Sequence, residues 1–150
     1  MDTGMTRRDL IAAGASAVLV GGAGLASMAN AADEHAGMQH GTNPHQKIID
    51  ASLECERTGE LCVAHCLAAF RNGDVSLAAC ATAVEQMLPA CAAAGRVVVY
   101  GSPRAIPFAK VCADICADCE RECRRHEDKH PACKACADAC AAFVAAVKNA

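Results

Sequence analysis

The residues of this chain that could do chemistry are its cysteines, which number twelve among 150 residues. Most gaps between neighbouring cysteines are 3, 4, 7, 11 or 14 residues. Because an α-helix turns by about 100° per residue, such steps return a side chain to the same helix face. The spacing therefore predicts stripes of thiols along helices. The twelve positions are Cys55, Cys62, Cys66, Cys80, Cys91, Cys112, Cys116, Cys119, Cys123, Cys133, Cys136 and Cys140.

These thiols favour a soft metal ion. Cu(I) prefers thiolate sulfur and accepts two or three such ligands. Two cysteines at i and i+4, such as Cys62 and Cys66, can supply one ion from a single helix face without a turn. Two thiolates for every ion would leave a negative core, and an uncompensated buried charge costs several kcal/mol. Charge neutrality therefore predicts bridging thiolates and a capacity near one Cu(I) per cysteine.

Other uses of the cysteines stay open. Disulfides are common in exported, cysteine-rich chains, although two cysteines on one helix face are poorly placed to form a bridge. The pairs Cys116-x2-Cys119 and Cys133-x2-Cys136 have the spacing of a four-thiolate zinc site. Residues 112–123 resemble an iron-sulfur motif with altered spacing. Zinc or a cluster would leave most of the remaining cysteines without a role.

The first 31 residues are predicted to be an export signal. Arg7 and Arg8 precede an apolar run rich in Ala and Gly, and an A-x-A cleavage site ends at Ala31. This twin-arginine leader predicts export to the periplasm or another extracytoplasmic compartment, with no membrane association after cleavage. Residues 32–43 are predicted to be a flexible tail that contains His and Met, and residues 44–150 the folded domain.

The domain is predicted to contain four amphipathic helices. Asn43 and Pro44 are expected to start helix 1, which runs to Arg71, and Asp74 is expected to cap helix 2. Turn signals separate the helices at residues 72–74, 100–107 and 130–131. Short connections predict an all-α, antiparallel four-helix bundle with a cysteine-lined core.

The up-and-down topology predicts two different ends. His126 continues the cysteine stripe of helix 3, so it should lie at a thiol-rich end where metal enters, between the end of helix 1 and the start of helix 2. Gly59, on the stripe of helix 1, is expected to leave space that could hold a metal ion. The thiol-rich end should collect Cys66, Cys80, Cys123 and Cys133. The opposite, apolar end should collect Ile48, Val98, Phe108, Phe143 and Val147.

Charge and motifs exclude several classes of function. The formal net charge is -3, so no basic surface predicts a nucleic-acid partner. The sequence has no Ser-His-Asp order, no phosphate-binding loop and no pair of carboxylates in a predicted cleft. It therefore predicts a binding protein and not an enzyme.

The cysteine pattern resembles that of the copper storage protein family, in particular its exported members. The resemblance implies a cysteine-lined bundle that binds many Cu(I) ions, a homotetramer, and a recipient cuproenzyme or copper chaperone. It also implies copper ligands at every cysteine except Cys112, and at His65 near the mouth of the bundle. The motifs that carry it are Cys55-x3-Gly59-x2-Cys62-x2-His65-Cys66, Cys80-x10-Cys91, Cys116-x2-Cys119-x3-Cys123 and Cys133-x2-Cys136-x3-Cys140.

The chain departs from exported relatives at a few positions. Relatives carry Met near the end of helix 1 and the start of helix 2, where this chain has Ala69, Asn72 and Leu77. Phe143 and Val147 stand where relatives continue the cysteines of the last helix. We therefore expect a capacity different from that of relatives and a drier apolar end. With the additional Cys112, the predicted ligands are all twelve cysteines, His65 and His126.

Overall fold

The computed structural model describes residues 43–150, and the predicted leader and almost all of the predicted tail lie outside the described residues. The described chain folds into α-helices and contains no strand. Each helix packs against its neighbours in the sequence, and the first also packs against the last, which closes the bundle. The predicted four-helix bundle is confirmed. The helices are α1 (Gln46–Arg71), α2 (Ala78–Val99), α3 (Ala105–Arg124) and α4 (Pro131–Lys148).

The core of the bundle consists mainly of sulfur and small aliphatic groups. All twelve cysteines are buried, because the 3- and 4-residue steps place them on the inner face of each helix. A protonated cysteine packs as a small hydrophobe, so this core can drive folding by burial. The largest fully buried side chains are Phe143, Ile48, Leu77, Met87, Val84 and Val98. Within residues 43–150, no helix has the length and apolar character needed to span a membrane.

The apolar end differs from the prediction at one residue. Phe108 is 40% exposed, so its predicted place in the core is wrong, whereas Ala105 and Ala109 are buried. Ala109 and Ala105 precede Cys112 by three and seven residues, and Phe108 precedes it by four. All three follow the spacing of the stripe, and the buried face at the start of α3 lies on the side of Ala105 and Ala109. The remaining residues predicted for this end are buried as expected: Ile48, Val98, Phe143 and Val147.

Asn43 does not cap α1 in the predicted way. The helix begins at Gln46, and the Asn43 side-chain oxygen accepts the N–H of His45 at 2.8 Å instead. The Asn43 side-chain nitrogen donates to the carbonyl of Val98 at 3.2 Å. This side chain therefore closes a local turn and joins the start of α1 to the end of α2.

The start of α2 is also later than predicted. The carboxylate of Asp74 accepts the N–H of Ser76 at 2.9 Å, and the helix begins only at Ala78. The intervening turn places the fully buried Leu77 in the core. Local hydrogen bonding by Asp74 therefore competes with its expected role as a helix cap.

The space expected beside Gly59 is occupied by side chains of α2. A Cβ atom at Gly59 would lie 2.8 Å from Cδ2 of Leu88 and 2.9 Å from Cε of Met87. The prediction of a metal ion at this position is therefore wrong. The missing side chain instead lets α1 and α2 approach closely.

Candidate metal centre

The cysteines of all four helices bring their sulfur atoms together along the axis of the bundle. All twelve are free thiols, and each is at most 1% exposed. This arrangement does not support the disulfide alternative. Four sets of three sulfur atoms lie within 4.8 Å of one another: Cys55, Cys91 and Cys116; Cys62, Cys66 and Cys80; Cys62, Cys123 and Cys136; and Cys119, Cys136 and Cys140.

One group of sulfur atoms lies toward the predicted mouth, where α1 ends and α2 begins. We call Cys62, Cys66, Cys80, Cys123 and Cys133 the outer sulfur group. The Sγ atom of Cys80 lies 3.4 Å from that of Cys123, 3.7 Å from that of Cys133 and 3.8 Å from that of Cys62. Sulfur atoms bonded to one ion at about 2.3 Å lie roughly 4 Å apart in three-coordinate geometry, so these spacings suit a shared soft ion.

A second group lies deeper in the bundle. We call Cys55, Cys91, Cys112 and Cys116 the inner sulfur group. The Sγ atom of Cys91 lies 3.3 Å from that of Cys116 and 3.7 Å from that of Cys112. These four cysteines are shielded from water, since each is at most 1% exposed.

Three further cysteines connect the two groups. The Sγ atom of Cys119 lies 4.0 Å from that of Cys123 and 4.0 Å from that of Cys136. Cys140 belongs to the same close set as Cys119 and Cys136, and it is hydrogen-bonded to Cys116 of the inner group. The sulfur atoms therefore form a continuous series from the mouth to the inner group, which a site for one or two zinc ions does not require.

Histidines lie together at the mouth, and we call His65, His126 and His130 the histidine cluster. Nε2 of His65 lies 2.8 Å from Nδ1 of His130, and the centroids of the His126 and His130 rings are 6.3 Å apart. His65 and His126 therefore both lie where the sequence placed them. Sequence reasoning treated His130 only as a helix breaker with Pro131. Its position just before α4, beside the thiol-rich end, was the signal that could have identified it.

A comparison with protein families identifies the relatives of this chain. The model of the copper storage protein family matches residues 41–150. The chain belongs to the copper storage protein family. A search of curated proteins gives no match. Together with the buried sulfur clusters, this membership indicates copper storage as the function and copper ions as the ligands of the protein.

In this copper storage protein, most of the thiols whose pKa departs from the ordinary value have a raised pKa and hold their protons tightly. Burial is the main cause that raises the pKa of Cys66 and of Cys133. The hydrogen bond with Cys123 is the main cause that raises the pKa of Cys80, and the bond with Cys119 does the same for Cys123. A thiol that donates its proton to a neighbouring sulfur in a dry core loses that proton with difficulty. Copper must therefore displace protons at these positions.

Two thiols of the core have a lowered pKa instead. Hydrogen bonds from Cys116 and Cys91 lower the pKa of Cys112 to about 5. Hydrogen bonds from Cys116, Cys119 and Cys136 lower the pKa of Cys140 to about 6. The pKa of Cys116 is raised in turn, chiefly by its bond with Cys112. The core therefore stabilises a few thiolates with S–H donors, and these thiolates are ready to bind a cation.

The residues expected to differ from those of exported relatives lie at the two ends of the bundle. Leu77 is fully buried beside the outer sulfur group, and Asn72 is exposed in the turn after α1. Phe143 and Val147 are buried at the apolar end. The mouth of this chain therefore presents imidazole nitrogen, and the opposite end is closed by hydrocarbon.

Proposed function

We propose that the protein stores copper as Cu(I), held by the twelve cysteine thiolates inside the bundle at close to one ion per thiolate. The observation that carries this proposal is the continuous series of buried sulfur atoms from the outer to the inner group. Such a series lets each thiolate bridge two ions, and bridging keeps the copper-loaded core near electrical neutrality.

We propose further that copper enters past the histidine cluster. His65 and His126 are the ligands expected from the sequence, and His130 joins them because its ring contacts that of His65. All three are only partly buried, whereas every cysteine is buried. An ion arriving from water would therefore meet imidazole before thiolate.

The proposed role is non-enzymatic. Storage requires only that copper ions be bound and later released. No bond of an organic substrate is broken. The buried thiols are suited to this because water and large molecules are excluded from them.

Export, assembly and partners are also part of the proposal. The twin-arginine leader supports folding before export to the periplasm or another extracytoplasmic compartment. A homotetramer is supported by the resemblance to exported family members and by exposed apolar side chains on α1 and α2, among them Leu53 at 60% and Val99 at 51% exposure. A recipient cuproenzyme or copper chaperone would take the stored copper.

An anaerobic titration with Cu(I) in the presence of a competing Cu(I) chelator tests the proposed storage. The protein should take up about twelve ions per chain before the chelator competes, because neutrality calls for about one ion per thiolate. Saturation at one or two ions would favour a zinc-type module instead. A thiol assay on the unfolded, metal-free protein should find free thiols at all of the cysteines. A lack of free thiols would favour the disulfide alternative.

A further inference from the structure

The histidine cluster offers nitrogen ligands, whereas the core behind it offers sulfur. Nε2 of His65 and Nδ1 of His130 lie 2.8 Å apart. Metal–nitrogen bonds of about 2.0 Å at a right angle place two nitrogen atoms about 2.8 Å apart, whereas a linear arrangement places them about 4 Å apart. A hydrogen bond accounts for the same distance, and rotation of both rings would aim their lone pairs at one ion. After that rotation and loss of the shared proton, the two nitrogen atoms could take adjacent corners of a tetragonal Cu(II) site.

Two further groups can complete such a site. The ring centroid of His126 lies 6.3 Å from that of His130, and the Nε2 atom of His126 is 3.9 Å from Oε1 of Glu122. The side chains of His126 and Glu122 are 20% and 19% exposed, so water still reaches them. Imidazole and carboxylate ligands suit Cu(II), whereas clustered thiolates select Cu(I). The mouth and the core therefore favour different oxidation states of one metal.

Each histidine of the cluster is adjacent to a cysteine of the outer sulfur group. His65 precedes Cys66 directly in the sequence. The N–H of His126 donates to the carbonyl of Cys123 at 3.0 Å, and the N–H of Cys133 donates to the carbonyl of His130 at 2.9 Å. An ion in the cluster would therefore lie at the same end of the bundle as thiols that can donate electrons.

The closest pair of sulfur atoms in the outer group belongs to Cys80 and Cys123, at 3.4 Å. Two thiols in contact can each give up one electron by forming a disulfide. We propose that the histidine cluster captures Cu(II) and that Cys80 and Cys123 reduce it, so that the protein takes up Cu(II) as well as Cu(I). This inference rests on the proposed storage function, because the Cu(I) formed moves into the same sulfur core.

The reaction balances without another reductant. Two Cu(II) ions accept one electron each and become Cu(I), while the sulfur atoms of Cys80 and Cys123 release two protons to water and form one S–S bond. The two thiols used in this way are lost as ligands. Uptake of Cu(II) therefore costs capacity that uptake of Cu(I) does not.

The reduction is tested with metal-free, fully reduced protein under argon and a Cu(II)–citrate complex, whose ligand contains no nitrogen. With about two equivalents added, the Cu(II) paramagnetic resonance signal should disappear while about two thiols are lost per chain, as the stoichiometry requires. Peptide mapping should then recover a disulfide between Cys80 and Cys123. Persistence of the Cu(II) signal, or its loss without loss of thiols, would overturn the proposal.

Variants separate the histidine cluster from direct attack on the core. His130→Asn and His65→Asn should slow the disappearance of the signal by about tenfold or more, as expected for loss of a metal ligand. The matched variant His45→Asn, at the opposite end of α1, should react at the original rate. Equal rates in all three variants would mean that Cu(II) reaches the thiols without the cluster, and would overturn the proposal.

Two further measurements keep the result interpretable. In the Cys80→Ser/Cys123→Ser variant, rapidly frozen samples should retain Cu(II) with nitrogen hyperfine splitting, and adding His130→Asn should weaken that splitting. Absence of nitrogen coupling in the double variant would count against capture by imidazole.

Titration with Cu(I) is run on every variant. Normal Cu(I) capacity without Cu(II) reduction sinks only this inference, whereas failure of Cu(I) loading in the unaltered protein sinks the storage function itself.

Discussion

The Sγ atoms of Cys91 and Cys116 lie 3.3 Å apart across the interface between α2 and α3. Cys55 of α1 has its sulfur atom within 4.8 Å of both. Three helices therefore contribute sulfur to one position in the inner group. Each sulfur there is placed to serve more than one ion, so removing one thiol should affect copper binding beyond its own helix.

Replacing Cys116 with alanine should lower the Cu(I) capacity by at least about one ion per chain, because one negative charge is lost from the core. Anaerobic titration against a Cu(I) chelator measures this capacity. Val84→Ala is the matched control, since Val84 is also fully buried but carries no sulfur. It should lower the free energy of unfolding by about 1–3 kcal/mol and leave the capacity unchanged. An equal loss of copper in both variants would contradict the prediction.

A second close approach between helices involves Gly95 and Ser52. A Cβ atom at Gly95 would collide with Oγ of Ser52, which is buried and donates to the carbonyl of Ile49 at 2.7 Å. Gly95→Ala should therefore displace the hydroxyl from its acceptor. We expect a loss of about 1–2 kcal/mol in the free energy of unfolding, because a displaced buried hydroxyl outweighs the gain in helix propensity.

The same change should behave differently without the hydroxyl. In the Ser52→Ala background, Gly95→Ala should be neutral or stabilising, since alanine is favoured over glycine in a helix by about 1 kcal/mol. The remaining contact, to Cβ of residue 52 at 3.3 Å, needs only a small shift. Chemical denaturation of the metal-free variants gives the four free energies of this cycle. An identical cost in both backgrounds would rule out the contact with Ser52 as the cause.

Helix periodicity explains how much of this fold was predictable. The 3- and 4-residue steps specify which face of each helix is buried, and every cysteine follows them. Phe108 departs although it precedes Cys112 by a four-residue step, because the buried face at the start of α3 lies on the side of Ala105 and Ala109. Asn43 and Asp74 depart because their side chains close local turns more readily than they cap the helices.

The candidate site was predictable to a smaller extent. Its sulfur ligands follow from spacing along single helices, and so does the position of His126 beyond Cys123. The contact between His65 and His130 joins α1 to the turn before α4, and it depends on how these two segments meet. No periodicity in one segment specifies such a distance, so the only sequence signal for His130 was its position just before α4 at the thiol-rich end.

Copper loading should release protons. The pKa values of Cys66, Cys80 and Cys133 are raised, so these thiols are protonated near pH 7 and must lose a proton when Cu(I) binds. Apparent affinity should therefore rise with pH, by about tenfold per pH unit for each proton displaced. Cys112 and Cys140, with pKa values lowered to about 5 and about 6, should release little at pH 7.

Calorimetry in two buffers of different ionisation enthalpy counts the protons released per ion. The total should lie somewhat below one proton per Cu(I), since the pKa values of Cys112 and Cys140 are lowered. The competing chelator for the affinity series must not itself titrate between the pH values compared. An affinity that falls as the pH rises would contradict the assignment of protonated thiols.

Arg124 joins the end of α3 to α4. Its guanidinium lies 2.7 Å from Glu127 and 2.6 Å from Asp138, and 3.4 Å from Glu120. Lys134 also contacts Asp138, at 2.6 Å. Lys134 and then Arg124 are the causes that lower the pKa of Asp138. Because this carboxyl is more acidic in the folded protein, its contribution to stability is present above its ordinary pKa and is lost as the pH falls through the lowered value.

Arg124→Ala should lower the free energy of unfolding by about 1 kcal/mol near neutral pH, the upper range for a partly exposed network. Arg121→Ala is the control, because Arg121 is 67% exposed and, among residues 43–150, pairs only with Asp118 on its own helix. It should cost no more than about 0.5 kcal/mol. Urea denaturation of the metal-free proteins at low and high salt measures the loss of unfolding free energy in both variants. High salt should reduce the difference between the two losses. Equal losses would mean that the connection between α3 and α4 through Asp138 does not stabilise the mouth of the bundle.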